Sequence, residues 1–362
     1  MTELCHFFAD ASRRREALVL ATVVRTEGST YRKAGARILI SQSGSASGLL
    51  SGGCLEEDLR ERAVRVLVHG RPARAVFDLR TSDDAVWGVG LGCEGVNDIW
   101  LQAVTQETDY APLPYLSQRL NEKLTGMVAT VVGGEALPGE LGRHGCAGVL
   151  DEDPLIATLS ACSAAKPEIQ KLRYRDRTLE VFVAPVVLPP ALLLCGGGPD
   201  SVPLARFCDL LGWEVTVVDH RPAFASAALF PPTATVLLAY PEELTHRFRF
   251  SQFDAAVIMS HNLAMDVEYL RLLAKDAPRY IGLLGPAARR ARIIDEVGPA
   301  VLKNADCIHG PVGLDIGANT PAGIGLAIVA QIHAVLGGRR GADYASVPID
   351  CDVQEHTRNL HQ

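Results

Sequence analysis

Apolar positions along this chain follow two regimes. Up to residue 187, short β-branched runs alternate with glycine-rich polar stretches; beyond residue 190, apolar strands and amphipathic helices alternate regularly. In the first regime Glu16–Val24 and Ala36–Ser41 predict strands. Between them Arg25–Gly35 holds two glycines and three basic side chains and predicts a polar loop. A Gly/Ser link then leads to residues 55, 59, 63, 66 and 67, apolar at the spacing of one helical face, which predicts a helix over Leu55–His69. Gly70, Arg71 and Pro72 end it. Ala75–Leu79 and Asn97–Val104 predict strands on either side of the glycine-rich Gly88–Gly95. Residues 112–124 predict a helix, and 126–187 several strands joined by Gly, Pro and Asp turns.

Leu188-Pro-Pro190 is the natural linker. After it come strands at Ala191–Cys195, Glu214–Val218, 234–238, 254–259 and 279–284, with helices at 203–211, 264–275, 287–297 and 321–336. Such alternation signals a parallel sheet. The expected fold class is therefore α/β. An N-terminal α+β domain (1–187) precedes a C-terminal Rossmann-like doubly wound parallel-sheet domain (191–338) and a polar tail (339–362).

Bulk properties narrow the classes of function. The 362 residues are 48% hydrophobic, enough for two cores, and the formal charge is −7. No overall basic surface favours nucleic acid. The most apolar stretch, Val181–Leu194, is broken by prolines and too short for a membrane span. Met1–Asp10 lacks the basic-then-apolar pattern of a secretory signal, so a cytoplasmic protein is expected. Nine scattered cysteines without a Cys-x-x-Cys pair argue against zinc ribbons and thioredoxin chemistry.

Ser51-Gly52-Gly53-Cys54 is the densest chemistry in the first half. Two glycines let the backbone turn and approach a ligand, and the helix expected to follow offers unpaired amides to an anion. The same field favours a thiolate at Cys54. The alternative is a buried cysteine beside a structural turn. In the second half, Gly196-Gly-Gly198 between a strand and a helix, with Asp219 closing the next strand, fits a nucleotide-binding βαβ unit in which Asp219 meets a ribose hydroxyl. The third glycine of the fingerprint is missing, and Asp200 sets a negative charge where a pyrophosphate would lie. A turn that merely packs helix to strand is the competing reading. Ser260-His261-Asn262 at the end of the 254–259 strand, with Asp315 in the later glycine-rich loop, marks a ligand crevice.

Several long motifs taken together resemble the XdhC/CoxI family, maturation factors of molybdenum hydroxylases such as xanthine dehydrogenase. In the first half these are Gly28–Arg37, Ser51–Glu56 and Gly90-Leu-Gly-Cys-Glu-Gly95. In the second they are Leu211–Arg221, Ser260-His-Asn262, Tyr280–Pro286 and Pro311–Pro321. The resemblance implies a carrier without turnover of its own. Such a protein binds molybdenum cofactor, holds it during sulfuration and passes it to the large subunit of a molybdenum hydroxylase, with a cysteine desulfurase as sulfur source. It also implies a homodimer. In that light Ser51, Gly52 and Gly53 would face the cofactor's phosphate. Arg32, Lys33 and Arg37 would neutralise charge. Cys54 or Cys93 would be a soft molybdenum ligand or sulfur carrier, oriented by Glu56. An NAD(P)-dependent oxidoreductase working through Gly196, Gly198, Asp219, His261 and Asp315 is the alternative. The chain departs from the family pattern at Glu94, at Ala322-Gly323 after Thr320-Pro321, and at Gln331 where a glutamate is usual.

Overall fold

The computed structural model describes residues 1–53, 55–80, 95–298 and 305–341. They divide into two compact units, Met1–Leu188 and the chain from Pro189 onward. The first unit opens with helix α1 (Thr2–Arg13) and strands β1 (Leu18–Gly28), β2 (Arg37–Ser41) and β3 (Ala46–Gly48). Helix α2 (Glu56–His69), β4 (Ala73–Asp78) and β5 (Gly95–Val104) complete a five-stranded sheet of order β3-β2-β1-β5-β4. Helix α3 (Leu113–Asn121) leads to β6 (Met127–Gly134), β7 (His144–Cys146), helix α4 (Pro154–Ser160), β8 (Glu168–Tyr174) and β9 (Arg177–Pro185). Those four strands form a second antiparallel sheet, β7-β6-β9-β8.

Both faces of the first sheet are covered, which explains the unbroken apolar run of β1. Val19, Ala21, Val23, Ile38, Ile40, Ile99 and Leu101 pack under Leu55, Leu59, Ala63 and Val66 beside and along α2. Leu18, Leu20 and Leu39 on the opposite face meet residues of α1 and α3. Val24 and Trp100 on that face join Val132, Phe182 and Ala184 of the second sheet.

Three expectations for this unit need correction. Arg25–Gly28 is strand rather than loop: after a bulge between Val23 and Arg25 it pairs with β5 down to Gly28 opposite Gly95, and inter-strand hydrogen bonding sustains it without apolar alternation. The Gly/Ser link contains β3, an edge strand paired to Ile38–Ile40. Helices α1 and α4 were not expected, although Asp153 accepts from the amides of Leu155 and Ile156 just ahead of Pro154, a recognisable start signal.

The second unit runs β10 (Ala191–Cys195), α5 (Ser201–Leu210), β11 (Glu214–Asp219), β12 (Thr235–Leu238), β13 (Ala255–Ile258), α6 (Leu263–Leu273), β14 (Tyr280–Leu283), α7 (Ala287–Val297), β15 (Ile308–His309) and α8 (Pro321–Leu336). Its sheet, β12-β11-β10-β13-β14-β15, is parallel throughout. Helices α5 and α8 cover one face and α6 and α7 the other. This is the doubly wound architecture, and its strand order reverses between β10 and β13. Thr320 accepts from the Gly323 amide at 3.1 Å, so α8 keeps its cap without a reciprocal glutamate. Gln331 accepts from the Tyr280 hydroxyl (2.6 Å) and the Gly313 amide (2.9 Å), tying the glycine loop to the sheet through a neutral oxygen. No helix among the described residues is long and apolar enough to cross a membrane.

Candidate functional site

One end of the first sheet collects the motifs of the N-terminal half. Gly28 at the end of β1 faces Gly95 at the start of β5, and Asp78 at the end of β4 faces Val96. Helix α2 also begins at this end, because its last residue feeds β4 at the other. The basic loop 29–36, the flanks of Cys54 (Gly53, Leu55) and the flanks of the second cysteine motif (Arg80, Gly95) therefore emerge together. Gly95 is required there: a Cβ would stand 2.5 Å from the Ser29 carbonyl oxygen. Cys54, Cys93 and Glu94 themselves lie outside the described residues.

The turn before α2 differs from the expected anion cradle. The helix starts at Glu56, beyond the glycine pair, and its first turn carries Glu56, Glu57 and Asp58. The buried Glu56 carboxylate accepts from the amides of Leu50 (3.3 Å) and Ser51 (2.9 Å) and from the Ser51 hydroxyl. The Ser51 oxygen in turn accepts from the amides of Gly53 and Leu55. Burial alone would raise the Glu56 pKa, but these hydrogen bonds outweigh it and hold the group below the usual range. Glu56 and the Ser51 hydroxyl thus engage the amides of Leu50, Ser51, Gly53 and Leu55.

The cations divide. Arg32 is exposed, with no partner for its guanidinium among the described residues, and Lys33 reaches only the Gly28 carbonyl (3.4 Å) and the Thr30 hydroxyl (3.3 Å). Arg37 does not join them. It shares the face of Leu39, and its side chain borders Leu20, Trp100, Val128 and Thr130 on the side away from α2. Burial there lowers its pKa to about 10. Asn97, on the α2 face near the loop end, keeps a buried Oδ1 with no hydrogen-bond partner among the described residues. Such an acceptor suits a ligand donor.

The second unit gathers polar groups across its switch point. Gly196 is a packing glycine, since a Cβ would lie 2.4 Å from the Met259 carbonyl oxygen. Asp219 is almost wholly buried, and both of its oxygens are engaged. Oδ1 accepts from the Arg221 amide and Nε, and Oδ2 from the Gly197 amide and Arg221 Nη2, all within 2.7–2.9 Å. Burial works to raise its pKa, and these bonds carry it below the usual value. The carboxylate thus closes the glycine turn through the Gly197 amide.

Across the crevice His261 Nε2 lies 2.8 Å from Asp200 Oδ2, and His261 has a left-handed φ of 60°. Asp266, which no local signal marks, binds the Ser260 amide and hydroxyl and takes two bonds from Arg289. Asp315 is exposed on the loop after β15 and makes no bond to this pair. At Gly198 a Cβ would stand 2.9 Å from Asp200 Oδ1 and 3.9 Å from His261 Cδ2.

A large open groove of about 1440 Å³ lies at the other end of the first unit's sheet, lined by Arg71, Gln102, Thr105, Asp109, His144 and Cys146 among others. The sequence offered no candidate there. Burial keeps His144 below its ordinary pKa and pushes the Cys146 thiol up to about 11, so neither is charged at neutral pH.

A parallel doubly wound unit that follows a unit of antiparallel sheets and helices is the fold class expected from the sequence. Residues 192–332 match the XdhC Rossmann domain, and residues 11–78 match the XdhC and CoxI family. The chain belongs to that family. Among individual proteins it is 34% identical over 322 residues to a probable xanthine dehydrogenase subunit of Bacillus subtilis, covering 88% of this chain and 93% of that one. It is 22% identical over 336 residues to the molybdenum cofactor insertion chaperone PaoD of Escherichia coli, covering 92% and 87%. A crystal structure described as a xanthine dehydrogenase from Bacillus halodurans superposes with a TM-score of 0.76 at 28% identity, covering 95% of this chain and 98% of that one.

Proposed function

We propose that this protein is a maturation factor that binds molybdenum cofactor as cargo, holds it during sulfuration and delivers it to a molybdenum hydroxylase of the xanthine dehydrogenase type. One observation carries the reading. The basic loop 29–36 and the flanks of both cysteine motifs share one end of the first unit's sheet. The cargo is an anionic pterin with an ene-dithiolate and a soft metal centre. Arg32 and Lys33 supply cations there, with arginine able to fork onto phosphate or oxo groups. The unsatisfied Asn97 Oδ1 suits a pterin N–H donor. Cys54 and Cys93 supply thiolate chemistry by their place in the chain. The names of the B. subtilis and E. coli relatives support the same reading. A homodimer, a cysteine desulfurase that supplies sulfur and a cytoplasmic location belong to this proposal. Asp219, with both oxygens engaged, gives the dinucleotide-dependent alternative no comparable support.

The test is the protein co-expressed with cofactor biosynthesis, purified, and assayed for molybdenum by mass spectrometry and for pterin by fluorescence after oxidation. Near-stoichiometric cargo is expected, falling at least about tenfold in Cys54→Ser or Cys93→Ser. Cargo unchanged in both variants would remove the thiols from the site. Wild-type protein free of molybdenum and pterin would overturn the reading.

A further inference from the structure

The large groove of the first unit has no part in cargo binding as read above, yet a strand edge with unpaired main-chain groups borders it. We infer that this groove binds an extended, positively charged segment of another protein, which pairs with β7 as an added strand.

Three observations support it. First, the pairing of β7 fixes which way its main-chain groups point. The Ala147 amide donates to the Met127 carbonyl and the Val131 amide to the Arg143 carbonyl, with Gly145 opposite Ala129 between them. Residues 143, 145 and 147 therefore face β6, and His144 and Cys146 turn their N–H and C=O groups outward. β7 is the edge of its sheet, and among the described residues only the Cys146 carbonyl of these groups has a backbone partner, the Val149 amide. Helix α4 lies on the face of the strand, not its edge: a Cβ on Gly145 would stand 2.3 Å from the Ser160 amide nitrogen. Arg143 and His144, whose side chains leave on opposite faces, both line the groove, so the edge between them does too. Outward groups recur at every second residue, about 7 Å apart, which is also the repeat of an extended peptide.

Second, side chains beside this edge form a donor and acceptor pair. Gln102 is buried and its Oε1 accepts from the Trp100 indole (2.9 Å), which leaves its NH2 without a partner among the described residues. His144 Nδ1 lies 3.2 Å from the Gly142 carbonyl, so Nδ1 carries the proton and Nε2 keeps its lone pair. Both residues adjoin Gly142, where a Cβ would be 3.7 Å from Gln102 Oε1. A peptide C=O and N–H match them.

Third, charge selects the sign of the occupant. Glu107, Asp109 and Asp151 line the groove with no basic partner among the described residues, against one free cation, Arg71. Arg143 is paired with Asp153, and burial keeps His144 neutral. The groove, about 1440 Å³, is also larger than the roughly 300–1,000 Å³ of small-ligand pockets. A strand added along an edge uses that extra room.

The test uses the full chain and an acetylated, amidated peptide of alternating valine and lysine. Main-chain pairing supplies most of the affinity of an added strand, so this peptide should bind measurably by calorimetry. Amide exchange at His144 and Cys146 should slow about tenfold at saturation. Alternating valine and glutamate should bind about tenfold more weakly, and Glu107→Gln with Asp109→Asn should remove that preference. Methylating alternate backbone nitrogens of the lysine peptide along its pairing edge should cost about tenfold, and along its other edge nothing. No binding at millimolar peptide, equal binding of the two methylated forms or of the two sequences, or unchanged exchange at His144 and Cys146 would each overturn the proposal. So would dissociation of a dimer by the peptide in sedimentation, which assigns the groove to a second copy of this chain. None of these readouts involves molybdenum or pterin, so this inference and the cargo reading fail separately.

Discussion

The two loop clusters, one in each unit, differ in whether positive charge is left over. At the loop end of the first unit, Arg32 and Lys33 carry positive charge with no carboxylate bound to them among the described residues. At the switch-point crevice of the second, each of the three carboxylates has its own basic partner. An anion is attracted to the first and gains little from the second. Glycine-rich turns mark both places, so glycine spacing alone would have assigned them the same kind of ligand. The side-chain pairing around each turn separates them.

Asp266→Ala breaks the pairing in the crevice most severely. It strips Arg289 and Ser260 of a fully buried partner and should cost about 3 kcal/mol, measured by denaturant unfolding. A loss below about 1 kcal/mol would mean that the crevice is not held by that pair.

Glu56→Gln tests the first cluster and should cost about 1–2 kcal/mol by weakening the bonds to Leu50 and Ser51. The sign of the pH dependence follows from the lowered pKa. The stability Glu56 contributes is present above its ordinary value of 4.5 and is lost as pH falls through the lower folded value. The variant should therefore show a flatter acid limb, and an acid limb parallel to wild type would contradict the assignment.

His261→Gly relieves the left-handed backbone and should leave stability unchanged or raise it by up to about 1 kcal/mol. A marked drop would show that the turn is not strained. Smallest on stability is Arg32→Gln with Lys33→Gln, expected within about 0.5 kcal/mol of wild type. The same pair should weaken cargo retention and flatten its salt dependence. If retention is unaffected, the spare cations do not serve the cargo.

Much of the architecture was legible in the chain. In the second unit, long apolar runs and helical periodicity marked every helix and all but the short β15, because a doubly wound sheet buries its elements on both sides. The misses have physical causes. The tail of β1 is polar and held by pairing with β5, which no local pattern encodes. Arg37 alternates in register with Leu39, so its face could be read only once the side covered by α2 was known. Asp219 ends its strand as a ribose-binding aspartate would. Whether its oxygens face outward or back onto Gly197 depends on Arg221, a contact that motif spacing does not carry. The glycines of both turns were found, but the carboxylates beside them decide what each turn can hold.

Helix α2 spans 14 residues, a rod of about 21 Å, with Gly53 and Leu55 at its start and the large groove at its finish. Val68, near that far terminus, is 73% exposed on the rim of the groove. A fluorophore attached at this position would sit beside the groove while standing more than three helical turns from the start of α2.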